Sequence, residues 1–157
     1  MSSPVIWILM PGFVAIILFI LRHREKLALS IGLLVSLTLA GLAWFNPIGD
    51  TVNLGIINLE ISDSLPILGR QFVLTTQKAP VLISIYLGVA FWLGGAFGAS
   101  TGGRFAFSCL LIASLMTAAL AVEPFLYAAL LIEMAAIVAV TMFAVPGQMI
   151  DRGSQTS

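Results

Sequence analysis

The stretch Val5-Ile-Trp-Ile-Leu-Met-Pro-Gly-Phe-Val-Ala-Ile-Ile-Leu-Phe-Ile-Leu21 is followed by Arg22-His-Arg-Glu-Lys26. After it comes Leu27-Ala-Leu-Ser-Ile-Gly-Leu-Leu-Val-Ser-Leu-Thr-Leu-Ala-Gly-Leu-Ala-Trp-Phe45. Two uncharged runs thus flank one charged knot. A helix needs about 20 apolar residues, with a range of roughly 17 to 25, to cross a bilayer. Both runs meet that length and are apolar on every helical face, as a membrane span is and an amphipathic surface helix is not.

Three further runs follow: Ala79–Ala99, Phe105–Val122 and Pro124–Val145. Only the last holds a charge, Glu133. Composition agrees. Of 157 residues, 60% are apolar and 9% charged, and mean hydropathy is +1.11. A soluble domain carries about a quarter charged residues, so too few are present here to cover a water-facing surface. The expected fold is an all-α membrane protein of five transmembrane helices.

The seven basic and seven acidic residues cancel, which gives no reason to expect a nucleic-acid partner. One cysteine, Cys109, excludes an intramolecular disulfide, and one histidine, His23, has no second metal ligand near it. His23 reads as part of a solvated topology signal, and Cys109 as an apolar filler. Trp7, Trp44 and Tyr127 fall near span ends, where aromatic anchors belong, and Trp92 is expected to pack mid-span. No phosphate loop, CxxC pair or nucleophile motif is present.

The first span does not read as a signal peptide. No basic residue precedes it, its basic cluster follows it, and no small-residue cleavage site closes it. With the N-terminus outside, the cytoplasmic segments hold Arg22, Arg24, Lys26, Arg104 and Arg152, and the external ones hold Arg70 and Lys78. That bias favours this direction. Residues 46–78 then form the one long external segment. Its early part, 51–61, alternates apolar and polar residues except at Gly55-Ile-Ile57, which suggests a β-hairpin on the membrane surface. Its later part, Leu65–Leu74, is expected to be an interfacial helix. Residues 146–157 read as a polar, turn-like tail.

Small residues spaced by four let helices approach in lipid, where no hydrophobic force drives them together. Ala90, Gly94, Gly98 and Gly102 form one such ridge, and Gly95, Ala99 and Gly103 a second. Ala128, Ala135 and Ala139, with Ala129 and Ala136 beside them, mark the fifth span. All are expected to be tight helix contacts, with a ligand or water path lined by the glycines as the alternative.

Glu133 is the leading candidate for function. It sits near the middle of its span, where a carboxylate costs about 2.5–3.5 kcal/mol on insertion scales, and intramembrane acids mark ion pathways by default. It is expected to face the bundle interior. The bland alternative is a structural hydrogen bond to another helix. No span contains Lys, Arg or His, so a basic partner would have to lie outside these five spans. Glu123, before Pro124, is a weaker candidate as an external proton-access point. Its plainer role is to complement a helix N-terminus.

The stretch Phe107–Ile137, with Leu131-Ile-Glu-Met-Ala-Ala136 at its centre, resembles the antiporter-like membrane subunits of respiratory NADH:quinone oxidoreductase (complex I) and the Mrp-type cation/proton antiporters. In that family a small-residue-rich fourth helix is followed by a short external turn and a fifth helix bearing a Glu, here at Glu133. An aromatic often precedes that Glu, and Ile132 stands in its place. The family's subunits have far more helices than five, and their Glu works with a Lys on a later helix.

The resemblance implies that residues 1–157 are the N-terminal transmembrane region of such a subunit, in the bacterial cytoplasmic membrane. It would carry no cofactor and no catalytic site of its own. Its partners would be other membrane subunits, the bilayer, and protons or Na+. A membrane-bound hydrogenase subunit is a near alternative, and a complete five-span structural or assembly subunit is an alternative of another class.

Overall fold

The computed structural model describes residues 5–45, 52–54, 57–59, 64–67, 70–99 and 104–143, with side chains for 6–45, 72–99 and 104–142. Five helices follow in order: α1 (Met10–Ile20), α2 (Glu25–Phe45), α3 (Ala79–Ala99), α4 (Arg104–Ala121) and α5 (Leu126–Phe143). One turn of π-helix, Val5–Leu9, leads into α1, and a 3-10 turn, Leu21–His23, leads out of it. Ile6–His23, Glu25–Phe45, Thr76–Ala99 and Arg104–Ala121 are each long and apolar enough to cross a membrane. The fifth apolar run, Leu126–Met142, is shorter.

The charged knot makes the first reversal. The Arg24 N–H donates to the Leu21 carbonyl and the Ala28 N–H to the Arg24 carbonyl, at 2.8 and 3.0 Å. This closes α1 and opens α2 with almost no loop. Glu25 stands in the first turn of α2, where the positive end of the helix dipole favours an acid.

Helix α4 is the centre of the bundle and packs against α1, α2, α3 and α5. Its composition permits this. Ala106, Ser108, Cys109, Leu110, Ala113, Ser114, Thr117, Ala118, Ala119 and Ala121 are all buried, and most are small enough for neighbours to approach from several sides. Helix α2 lies along α3 through a stripe of Ala28, Gly32, Ser36, Leu39 and Ala43. Gly32 is where backbone approach is closest. A Cβ there would lie 3.2 Å from Leu93 Cδ1, 3.4 Å from Leu18 Cδ1 and 3.7 Å from the Ala106 Cβ, at the meeting point of four helices.

Between α2 and α3 lie two hairpins. β1 (Val52–Leu54) pairs antiparallel with β2 (Ile57–Leu59), in the register Val52↔Leu59. The expected interfacial helix over Leu65–Leu74 is not found. Instead β3 (Ser64–Ile67) pairs antiparallel with β4 (Arg70–Val73), with Ile67 opposite Arg70. Pro66 explains the difference. Inside a helix it would remove a hydrogen bond and clash with the preceding turn, whereas on edge strand β3 it is tolerated.

The strand β5 (Val122–Glu123) adds to β4 with Phe72↔Val122 and Gln71↔Glu123. The fifth helix therefore starts at Leu126 rather than at Pro124. A residue before proline is driven to extended backbone, so Glu123 joins the sheet. The helix opens after it, with N–H groups of Tyr127 and Ala128 donating to the carbonyls of Pro124 and Phe125. The expected tail, 146–157, lies outside the described residues, as do Gly102, Gly103 and Arg152.

Candidate functional site

Helix α5 packs mainly on α4. Its packed stripe is Ala128 and Ala135, both buried, with Leu131 and Val138 partly covered. These positions follow the helical repeat. Glu133 lies two residues from Leu131 and from Ala135, so it projects from the opposite side, and it is exposed. The expectation that it faces the interior of this bundle is therefore corrected. α5 is apolar on all sides, and the small residues that settle its packing face belong to the other stripe. Glu133 is the eighth of the eighteen residues of α5, among exposed Leu130, Ile132, Met134 and Ile137. Among the described residues no hydrogen bond or ion pair reaches it.

Glu123 has a partner. Its Oε1 lies 4.0 Å from the Lys78 Nζ, which also donates to the Val73 carbonyl at 3.0 Å. Lys78 closes the 3-10 turn that leads into α3. The ion pair thus ties the head of α3 to the corner between α4 and α5. Beneath it Phe72, Tyr127 and Leu131 pack on Ala119, Val122 and Ala128. Glu123 and Glu133 are not brought together: one stands in a surface strand, the other two turns and more along α5.

A polar cluster absent from the sequence reading lies inside the bundle. Pro11 has no N–H to offer the Trp7 carbonyl four residues earlier, and the helix turns through a π segment there. The Tyr86 hydroxyl, from α3, donates to that carbonyl. Thr117 Oγ1, from α4, donates to the Tyr86 hydroxyl oxygen at 3.4 Å, and Ser114 Oγ donates to the Ile8 carbonyl at 2.7 Å. Tyr86 and Thr117 are fully buried. Irregular backbone at membrane depth survives where side chains satisfy the freed groups. The signal was Pro11 inside an apolar run, with hydroxyl residues in two other spans.

Other expectations divide. Trp7 is not a span-end anchor: it is 5% exposed, with its ring 6.2 Å from Tyr86. Trp44 is exposed, and Trp92 meets Phe105 edge-on at 6.3 Å while keeping half its surface open. Cys109 is buried, as a filler should be. The α3 ridge is covered in part. Ala90 is buried and a Cβ at Gly94 would lie 3.5 Å from Leu33 Cδ1 of α2, whereas a Cβ at Gly95 or Gly98 would meet nothing within 4 Å among the described residues.

The groove between α2 and α3, lined by Leu37, Ala40, Trp44, Ile83 and Leu87, offers no charged side chain to a solute. Among the described residues no group of three His, Cys, Asp or Glu side chains could hold a metal.

The fold is that of a helical chain with four helices long and apolar enough to cross a membrane. Neither a protein family, nor a curated protein, nor a solved structure matches it.

Proposed function

We propose that this chain is the membrane region of a proton-translocating subunit of an NADH:quinone oxidoreductase-like complex, with Glu133 in the proton path. The supporting observation is the place of Glu133: mid-helix, on the face of α5 turned away from α4, without a partner among the described residues. An acid left facing lipid at that depth is costly. The carboxyl is therefore read as serving a partner surface beyond this bundle, where protons pass between subunits or helices. The resemblance of the segment around Glu133 to the antiporter-like subunits supplies the reaction class.

In this reading the N-terminus is outside, Arg22–Lys26 are cytoplasmic, residues 46–78 are external, and the membrane is the bacterial cytoplasmic one. Glu123, held by Lys78, is at most an outer access point. Mrp-type antiporters and membrane-bound hydrogenases use the same chemistry and form the near alternative.

A structural or assembly subunit is the second reading. The buried hydroxyls favour it: Tyr86, Ser114 and Ser36 each donate to a backbone carbonyl, so these groups are satisfied internally. The test is Glu133→Gln in the complete assembly, reconstituted in sealed vesicles. Loss of proton movement with assembly intact supports the relay. Unchanged transport rejects it and leaves the structural reading.

A further inference from the structure

Opposite the Lys78–Glu123 corner, the bundle ends in a concentration of positive charge. Arg22, Arg24 and Lys26 lie at the α1–α2 reversal, and Arg104 opens α4. The single acid among them is Glu25, and among the described residues no ion pair neutralises any of these four cations.

One arginine lies on an aromatic pair, and a second stands one helical turn from that pair on another helix. The Arg22 guanidinium sits over the Phe19 ring, 5.0 Å from its centroid. The Phe19 ring lies 5.1 Å from that of Phe107, which is one helical turn from Arg104. Phe19 remains about half exposed, at 45%.

We propose that this end of the bundle binds an anionic phospholipid, with its phosphodiester held by Arg22 and Arg104 and an acyl chain lying over Phe19 and Phe107. Guanidinium forks match phosphate oxygens bidentately, and basic pockets between membrane helices hold anionic headgroups. Depth selects a lipid over free phosphate. Both arginines stand at the ends of apolar, membrane-length helices, and the rings beneath them continue into the hydrocarbon. A free anion would leave those rings uncovered. A topology signal alone needs positive charge in the loop, and gains nothing from an arginine stacked on a ring or from a second arginine on another helix. The inference rests on the membrane class of the chain and not on Glu133.

A Phe19→Trp substitution puts the reporter on the ring surface itself. In a Trp7→Phe/Trp44→Phe/Trp92→Phe background it is the only tryptophan. The full chain is reconstituted in phosphatidylcholine bilayers with rising shares of brominated phosphatidylglycerol or brominated phosphatidylcholine, and tryptophan emission is measured. Half-maximal quenching is expected at an about tenfold lower share of the anionic lipid. Arg22→Gln/Arg104→Gln should abolish that preference, and Arg22→Lys/Arg104→Lys should keep part of it. Equal quenching by the two lipids overturns the proposal before any variant is made. So does a preference that survives the double Gln substitution, or one erased by inorganic phosphate alone.

Discussion

The Tyr86 hydroxyl donates its hydrogen bond to the Trp7 carbonyl, the group to which Pro11 has no N–H to offer. A defect in one helix is thus made good by a second helix, and Thr117 on a third joins the same hydroxyl. Tyr86→Phe should leave the carbonyl buried without its donor and lower stability by about 0.6–2 kcal/mol. Pro11→Ala restores a backbone donor. In the Pro11→Ala background the same Tyr86→Phe change should therefore cost less. Unfolding of the four proteins in mixed micelles measures the coupling, and equal costs in both backgrounds would show that Tyr86 acts by packing alone.

The close approach at Gly32 makes an opposite forecast from the open face at Gly98. Gly32→Leu pushes atoms into Leu93, Leu18 and Ala106 and should cost about 1–3 kcal/mol through overpacking. A Cβ at Gly98 meets nothing within 4 Å among the described residues, so Gly98→Leu should stay within about 0.5 kcal/mol of the parent. Thermal unfolding in detergent compares them. A large penalty at Gly98 would mean that a neighbour covers this part of α3.

These positions show how far the sequence could be read. Long uncharged runs locate helices because the bilayer demands length and apolarity, and α3 matches its run, Ala79–Ala99, residue for residue. Those runs carry little information about rotation. Every face is apolar, so four-residue spacing shows that Gly94 and Gly98 share a face without showing whether a neighbour covers it. The direction of Glu133 was unreadable for the same reason. The β3–β4 hairpin is legible in Pro66, although the apolar content of Leu65–Leu74 alone is equally compatible with a helix. Trp7 stands at a span end, as its place in the sequence indicates, but its burial depends on packing against Tyr86, which the sequence does not show.

Glu123 and Lys78 are surface partners, 56% and 28% exposed, and such pairs contribute about 0–1 kcal/mol. Glu123→Gln should change stability within that range, and the difference should shrink as salt rises. Proton movement by the assembly should be reduced far less than by Glu133→Gln. A loss as large as that from Glu133→Gln would promote Glu123 from access point to essential relay.

From the loop-charge bias, the Arg22–Lys26 end of the bundle is expected inside and the 46–78 end outside. In a Cys109→Ala background, Asn58→Cys should react with an impermeant thiol reagent from outside intact cells, and Lys26→Cys should react only after permeabilisation. The reverse pattern would invert every span and move the arginine-rimmed end to the outer surface.

Glu133 offers the sharpest separation between stability and function. Within this bundle it touches no partner among the described residues, and its neighbours on the outward face of α5 are Leu130, Ile132, Met134 and Ile137. Glu133→Leu removes the cost of placing a carboxyl in that setting and removes no contact to α4. The chain alone, in detergent or bilayers, should therefore become more stable, by on the order of 1–3 kcal/mol. The complete assembly should lose proton transport with the same substitution, because leucine can neither carry a proton nor bond to a group on a facing helix. Gain in the isolated chain and loss in the assembly would be the signature of an acid retained for a partner beyond these five helices. A destabilised isolated chain would mean that Glu133 already has an internal partner, and the outward-facing assignment would fall. A more stable chain with unimpaired transport would leave the carboxyl without a role in moving protons.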